Sequence, residues 1–192
     1  MSLEVVHVSD QPYDSGFASR ASAANVICIG DSLTGWNNFG RRQSWPFPTY
    51  PEFLQDRCAS LNLLIADGGV AGEVSGNGPQ LVRRYLGTFP NARYVVLGFG
   101  TNDLGMWQDL EQTSESILAN YATMLDSVRS ESRVPILLNV PGANERLFTP
   151  DAVADLRRRR DFHNGRLVEF CAERGLPLVD IRSPLGDADF GD

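Results

Sequence analysis

The stretch Asn25-Val26-Ile27-Cys28-Ile29-Gly30-Asp31-Ser32-Leu33 decides the fold. From Asn25 to Ile29 the apolar residues run on without alternating, the pattern of a strand buried on both faces of a sheet. Gly30 then permits a tight turn, so the Ser32 hydroxyl projects from the strand end instead of into the core. That is a position suited to a nucleophile.

Four further runs repeat the pattern: Asn62–Ala66, Tyr94–Gly98, Val134–Val140 and Pro177–Asp180. Helical patterns lie between them. Leu110, Ser114, Ile117, Leu118, Tyr121, Leu125 and Val128 recur at three- and four-residue steps, one stripe of an amphipathic helix. A second helix opens at Thr149-Pro150-Asp151, with a capping hydroxyl, a proline at the first helical position and an acid facing the dipole. It closes at Gly175, and its stripe is Val153, Leu156, His163, Leu167, Phe170 and Cys171. Strand and helix alternate at intervals of about 30 to 40 residues, which predicts an α/β domain with a doubly wound parallel sheet. Residues 1–24 show no period and are expected to form an N-terminal arm, with one domain over 25–192.

Composition narrows the classes. At 192 residues the chain is long enough to bury a full core without disulfide or metal staples. Seventeen basic against 24 acidic residues give a net charge of −7, the wrong sign for a nucleic-acid footprint. All seventeen are arginine, so no lysine is present for Schiff-base chemistry. Cys28, Cys58 and Cys171 are odd in number and widely spaced, which argues against a zinc site or a disulfide framework and for a reducing compartment. No run reaches the length of a membrane span, and the first residues lack the apolar stretch of a signal peptide. A cytoplasmic location is the expectation, with no cofactor.

Ligands of open α/β sheets bind outside the carboxyl ends of the strands. Three loops there carry chemistry: Gly30-Asp31-Ser32-Leu33-Thr34, Asp67-Gly68-Gly69-Val70-Ala71-Gly72 and Gly100-Thr101-Asn102-Asp103. The Gly72 N–H and the Asn102 side-chain amide are candidate donors to an oxyanion formed at Ser32. Asp31 and Asp103 are expected to anchor turns by accepting backbone N–H groups.

These blocks resemble those of the SGNH (GDSL-type) hydrolases of esters and thioesters. Gly30-Asp31-Ser32-Leu33 is similar to the first block and Asp67-x-Gly69-x-x-Gly72 to the second, with Asp67 where asparagine is usual; Gly100-Thr101-Asn102-Asp103 matches the third. Weaker similarities are Trp45-Pro46, Asn164 and Leu178-Val179-Asp180. The resemblance implies a three-layer flavodoxin-like fold of five parallel strands in the order 2-1-3-4-5. It also implies Ser32 as nucleophile and an oxyanion hole of the Ser32 N–H, the Gly72 N–H and Asn102. That order makes the three loops neighbours.

A serine hydroxyl needs a base. The family pattern supplies histidine in an Asp-x-x-His block, and the sequence closes on Asp189-Phe190-Gly191-Asp192. Asp192 is therefore expected to be the catalytic acid, with the histidine and a last helix beyond it; Asp189 is the second candidate. His163 reads as a core histidine away from the strand ends, and His7 as a solvated side chain of the arm. Trp36 and Trp45 fall in a Gly- and Pro-punctuated loop after the nucleophile and could line a substrate pocket or pack on their own domain. Arg157 to Arg160 point all round a helix and read as a solvated face. The expected function is a serine hydrolase acting on a small-molecule ester. Its rivals are a catalytically inactive binding domain on the same scaffold and a nucleotide- or phosphate-binding domain.

Overall fold

The structure is a computed structural model and describes residues 4–11, 14–35, 49–106, 109–142 and 148–182. Its strands are β1 (Val6–His7), β2 (Val26–Gly30), β3 (Ile65–Asp67), β4 (Tyr94–Gly98), β5 (Val134–Leu138) and β6 (Leu178–Val179). Among the described residues they form one parallel sheet in the order β1-β3-β2-β4-β5-β6. The five strands expected from the sequence stand in the expected 2-1-3-4-5 order, and β1 adds a sixth at the edge.

The helices are α1 (Phe17–Ala23), α2 (Tyr50–Cys58), α3 (Gly78–Thr88), α4 (Thr101–Met106), α5 (Leu110–Ser130) and α6 (Pro150–Arg174). From β2 to β3 the chain moves one way across the sheet, and from β3 onward it moves the other way. Crossovers of one hand then place their helices on opposite faces. Accordingly Ile27, Ile29, Val95, Leu97 and Leu137 pack with residues of α1, α3, α5 and α6. Val26, Cys28, Val96 and Leu138 face the other side, where Tyr50, Leu54 and Cys58 of α2 pack. Residues buried on both faces are why these strands read as unbroken apolar runs.

Helix α6 keeps its expected caps. Thr149 Oγ1 accepts the Ala152 N–H, and Gly175 takes the left-handed conformation at φ 60°. In α5, Ser114, Ile117, Tyr121, Leu125 and Val128 of the expected stripe are buried, joined by Thr113 and Met124. Within the arginine run, Arg158 and Arg159 bind Asp155 at 2.6 Å each. Those contacts, Arg159 foremost, hold its carboxyl below the ordinary aspartate value. Arg160 departs from the solvated reading, being 5% exposed.

The stretch before Asn25 is the main correction. It was expected to carry no regular structure, yet it supplies β1 and α1, and Val5, Val6, Val8, Phe17 and Ala21 are buried. Val6 and His7 pair with Ala66 and Asp67 of β3. A two-residue strand is too short to show a period, so only its pairing reveals it.

Candidate active site

The reversal of direction falls between β2 and β4, which pair from Val26↔Tyr94 to Gly30↔Gly98. Beyond this pair of ends the three blocks meet. After Gly30 the chain makes one tight turn in which Thr34 and Gly35 donate to the Asp31 carbonyl, at 3.0 and 3.1 Å. Asp31 Oδ1 accepts the Leu33 N–H at 2.9 Å, the anchoring expected of it. Ser32 is held half-buried between them. Asp31 is 1% exposed, and burial pushes its carboxyl up to about 6.

The loop after β3 is stitched to β2, because Gly68 N donates to Cys28 O at 2.8 Å and Val70 N to Gly30 O at 2.9 Å. It also lies flat on the serine turn: a Cβ on Gly69 would sit 2.1 Å from the Gly35 nitrogen. Only glycine allows that approach. At Gly72 the backbone turns left-handed (φ 77°), leaving the residue exposed.

The third block opens α4 instead of lying in a loop as read from the sequence, with Leu104 N bonded to Gly100 O at 2.9 Å. The acid at Asp103 suits the first turn of a helix. Asn102 Nδ2 donates to Glu73 O at 2.7 Å, which fixes the amide beside Gly72 and leaves its second N–H available. Asp103, 5% exposed, accepts from Ser75 N at 3.0 Å and from Ser75 Oγ at 2.6 Å. Asn120 of α5 donates to that hydroxyl at 3.0 Å.

Sequence reasoning missed Ser75 and Asn120, isolated polar residues in no motif. It also missed the polar role of Tyr121, whose hydroxyl accepts the Phe99 N–H (2.8 Å) and donates to Phe99 O (3.2 Å) under the third block. Asn164 likewise clamps the end of β5: its Oδ1 accepts Val140 N and its Nδ2 donates to Val140 O, both at 2.9 Å.

His163 is the core histidine read from the sequence but does not lie away from the strand ends, and His7 is not solvated. His163 is fully buried, with Nδ1 on Ser114 Oγ at 2.9 Å, and burial pushes its imidazole down to about 4. It nevertheless lies close under the β4 end, since a Cβ on Gly100 would stand 3.7 Å from its Nε2. Helix α6, at 25 residues, is much longer than the strands, so its middle meets the strand ends. His7 was expected to be solvated; it is 6% exposed and faces Asp67.

Of the remaining sequence candidates, Asp192, Asp189, Trp36 and Trp45 lie outside the described residues. A largely apolar cavity of about 540 Å³ opens beside the serine turn, its wall including Leu33, Thr34, Thr101, Leu138 and Ile181. Among the described residues no cluster of His, Cys, Asp and Glu could hold a metal ion, and no helix is long and apolar enough to cross a membrane.

A parallel sheet of flavodoxin-like order with serine, glycine and asparagine blocks at its switch point defines an α/β protein of the SGNH type. The GDSL-like lipase/acylhydrolase family matches residues 28–192, and the chain belongs to that family of hydrolases. A search of curated proteins finds no match. Among solved structures the chain is similar to a lipolytic protein of the G-D-S-L family from Veillonella parvula, with 18% identity, a TM-score of 0.60, and 85% of this chain and 81% of that one covered. It is similar also to a GDSL-like lipase from Bacteroides thetaiotaomicron (19% identity, TM-score 0.57, 88% and 78% covered). A third is AlinE4, an SGNH-hydrolase family esterase (21% identity, TM-score 0.57, 81% and 75% covered).

Proposed function

We propose that this protein hydrolyses carboxylic esters or thioesters of small molecules with Ser32 as nucleophile. The Ser32 hydroxyl attacks the carbonyl carbon, and the negative charge gathers on the carbonyl oxygen. The Ser32 N–H, the Gly72 N–H and the free N–H of Asn102 donate to it. Collapse expels the alcohol or thiol and leaves an acyl-serine, which water then cleaves. The observation that carries this reading is the Asn102 to Glu73 hydrogen bond, which sets a donor amide beside Gly72 at the strand ends where Ser32 stands.

The resemblance assigns the proton acceptor to a histidine of an Asp-x-x-His block, and neither histidine among the described residues suits that role. His163 is a poor candidate because burial leaves its imidazole too weakly basic to take up a proton and its Nδ1 is engaged by Ser114, and His7 faces carboxylates instead of Ser32. Cys28 is no rival nucleophile, since burial pushes its thiol up to about 12.

Turnover of an aryl acetate by the full-length protein tests the reading. Ser32→Ala should abolish it. Asn102→Ala should fold and lose about 100- to 1,000-fold in kcat, the usual cost of one oxyanion donor. Wild-type turnover in Ser32→Ala would remove the nucleophile assignment, and in Asn102→Ala the oxyanion assignment.

A further inference from the structure

Edge strand β1 ends at His7, opposite Asp67, the last residue of β3. His7 Nδ1 lies 2.9 Å from Asp67 Oδ2, and Nε2 lies 3.5 Å from Glu52 Oε1 in the first turn of α2. The other carboxylate oxygen of Asp67 accepts the Gly69 N–H at 2.9 Å. A Cβ on Gly35 would stand only 2.3 Å from that same oxygen, so the carboxylate also lies against the backbone of the serine turn. Asp67, 1% exposed, therefore touches the edge strand, the glycine turn that leads to Gly72, and the turn that holds Ser32.

A carboxylate taken out of water needs donors on both oxygens to stay in one place. Gly69 serves one and His7 the other. Because Gly69 in turn rests on Gly35, any shift of the carboxylate moves the oxyanion loop and the serine turn relative to each other. Loss of the His7 donor would loosen that joint without removing any group that touches substrate.

We propose that His7 is a positioning residue for ester hydrolysis, holding Asp67 and, through it, the register between the Gly69–Gly72 loop and Ser32; this rests on the roles given above to Ser32, Gly72 and Asn102. A misplacement of about 1 Å at a reacting centre can cost up to about 100-fold in rate. The effect falls on kcat, because oxyanion donors bind the transition state more strongly than the substrate.

The test measures kcat and KM for an aryl acetate, with thermal melts, on the full-length protein and its His7→Ala, Asp67→Asn and doubly substituted variants. His7→Ala is expected to lower kcat by about 10- to 100-fold with KM little changed. The double variant is expected to match Asp67→Asn alone to within about threefold, since an amide at 67 still accepts from Gly69 and has no charge for His7 to hold. Wild-type kcat in His7→Ala, or a double variant as slow as the product of the two single losses, overturns the proposal. If His7→Ala does not fold, His7→Asn, with an N–H where Nδ1 stands, is expected to keep kcat within a few-fold; a folded His7→Asn slowed about tenfold or more overturns it. Ser32→Ala in the same assay keeps the two readings apart: its activity fails the hydrolase assignment whatever His7 does.

Discussion

Asp31 and His163 carry opposite pH dependences into the fold. Burial raises the Asp31 carboxyl from an ordinary 3.8 to about 6. Between those values the unfolded chain has released a proton that the native chain keeps, so stability falls as pH rises through the window, by up to about 3 kcal/mol. His163, lowered from 6.5 to about 4, behaves in reverse. There the unfolded chain binds the extra proton, so stability is lost as pH falls through that window. The two slopes oppose each other in the wild-type protein. Asp31→Asn keeps the acceptor for Leu33 N–H and removes only the ionisation. Its melting temperature should match wild type near pH 4 and exceed it increasingly up to pH 7. Melting curves across that range check this, and a constant gap would show that the Asp31 carboxyl titrates at its ordinary value in the folded protein.

The elements show which features of the chain are readable and which are not. All five strand runs and the caps of α6 were legible because each is written in consecutive residues: unbroken apolar runs, Thr149 with Pro150, Gly175. The three blocks were legible for the same reason. The joints between elements were not, because their partners are far apart in the chain. Ser75 meets Asp103 across 28 residues, Asn120 meets Ser75 across 45, and His7 meets Asp67 across 60. Tyr121 and Ser114 were counted as members of an apolar stripe, where periodicity shows which face is buried but not which hydroxyl has a partner. At Tyr121 that partner is the backbone of Phe99, two residues before the third block begins to turn into α4. Tyr121→Phe fills the same volume and leaves a buried N–H and carbonyl without their hydroxyl. It should cost about 1–3 kcal/mol, read from urea denaturation with the slope unchanged. Asn164→Ala frees both backbone groups of Val140 and should cost at least as much. A loss well under 0.5 kcal/mol in either variant would mean that water replaces the side chain there.

For the whole molecule, the question is what the first two dozen residues contribute. Their composition is mixed and aperiodic, which made them read as an arm, yet Val6 is fully buried against the same core as α3 and α5. The strand they add also covers the edge of β3, which otherwise would present unpaired backbone groups to a second chain. An arm laid on a finished domain and a strand belonging to its core differ in how they unfold. In the first case a truncation at position 6 loosens only the arm, and the main denaturation transition does not move. In the second the arm melts with the sheet, and the whole transition shifts. Val6→Ala removes two buried carbon groups and leaves a small void, which should lower global stability by about 2 kcal/mol. Urea curves followed both by helix signal and by the near-ultraviolet signal of buried Tyr85 and Tyr121 should shift together to lower midpoints with the same slope. Amide exchange at Ala66 and Asp67 should report the same loss. If the curves stay at wild-type positions while exchange at those two residues speeds up, the arm opens independently of the domain that carries Ser32.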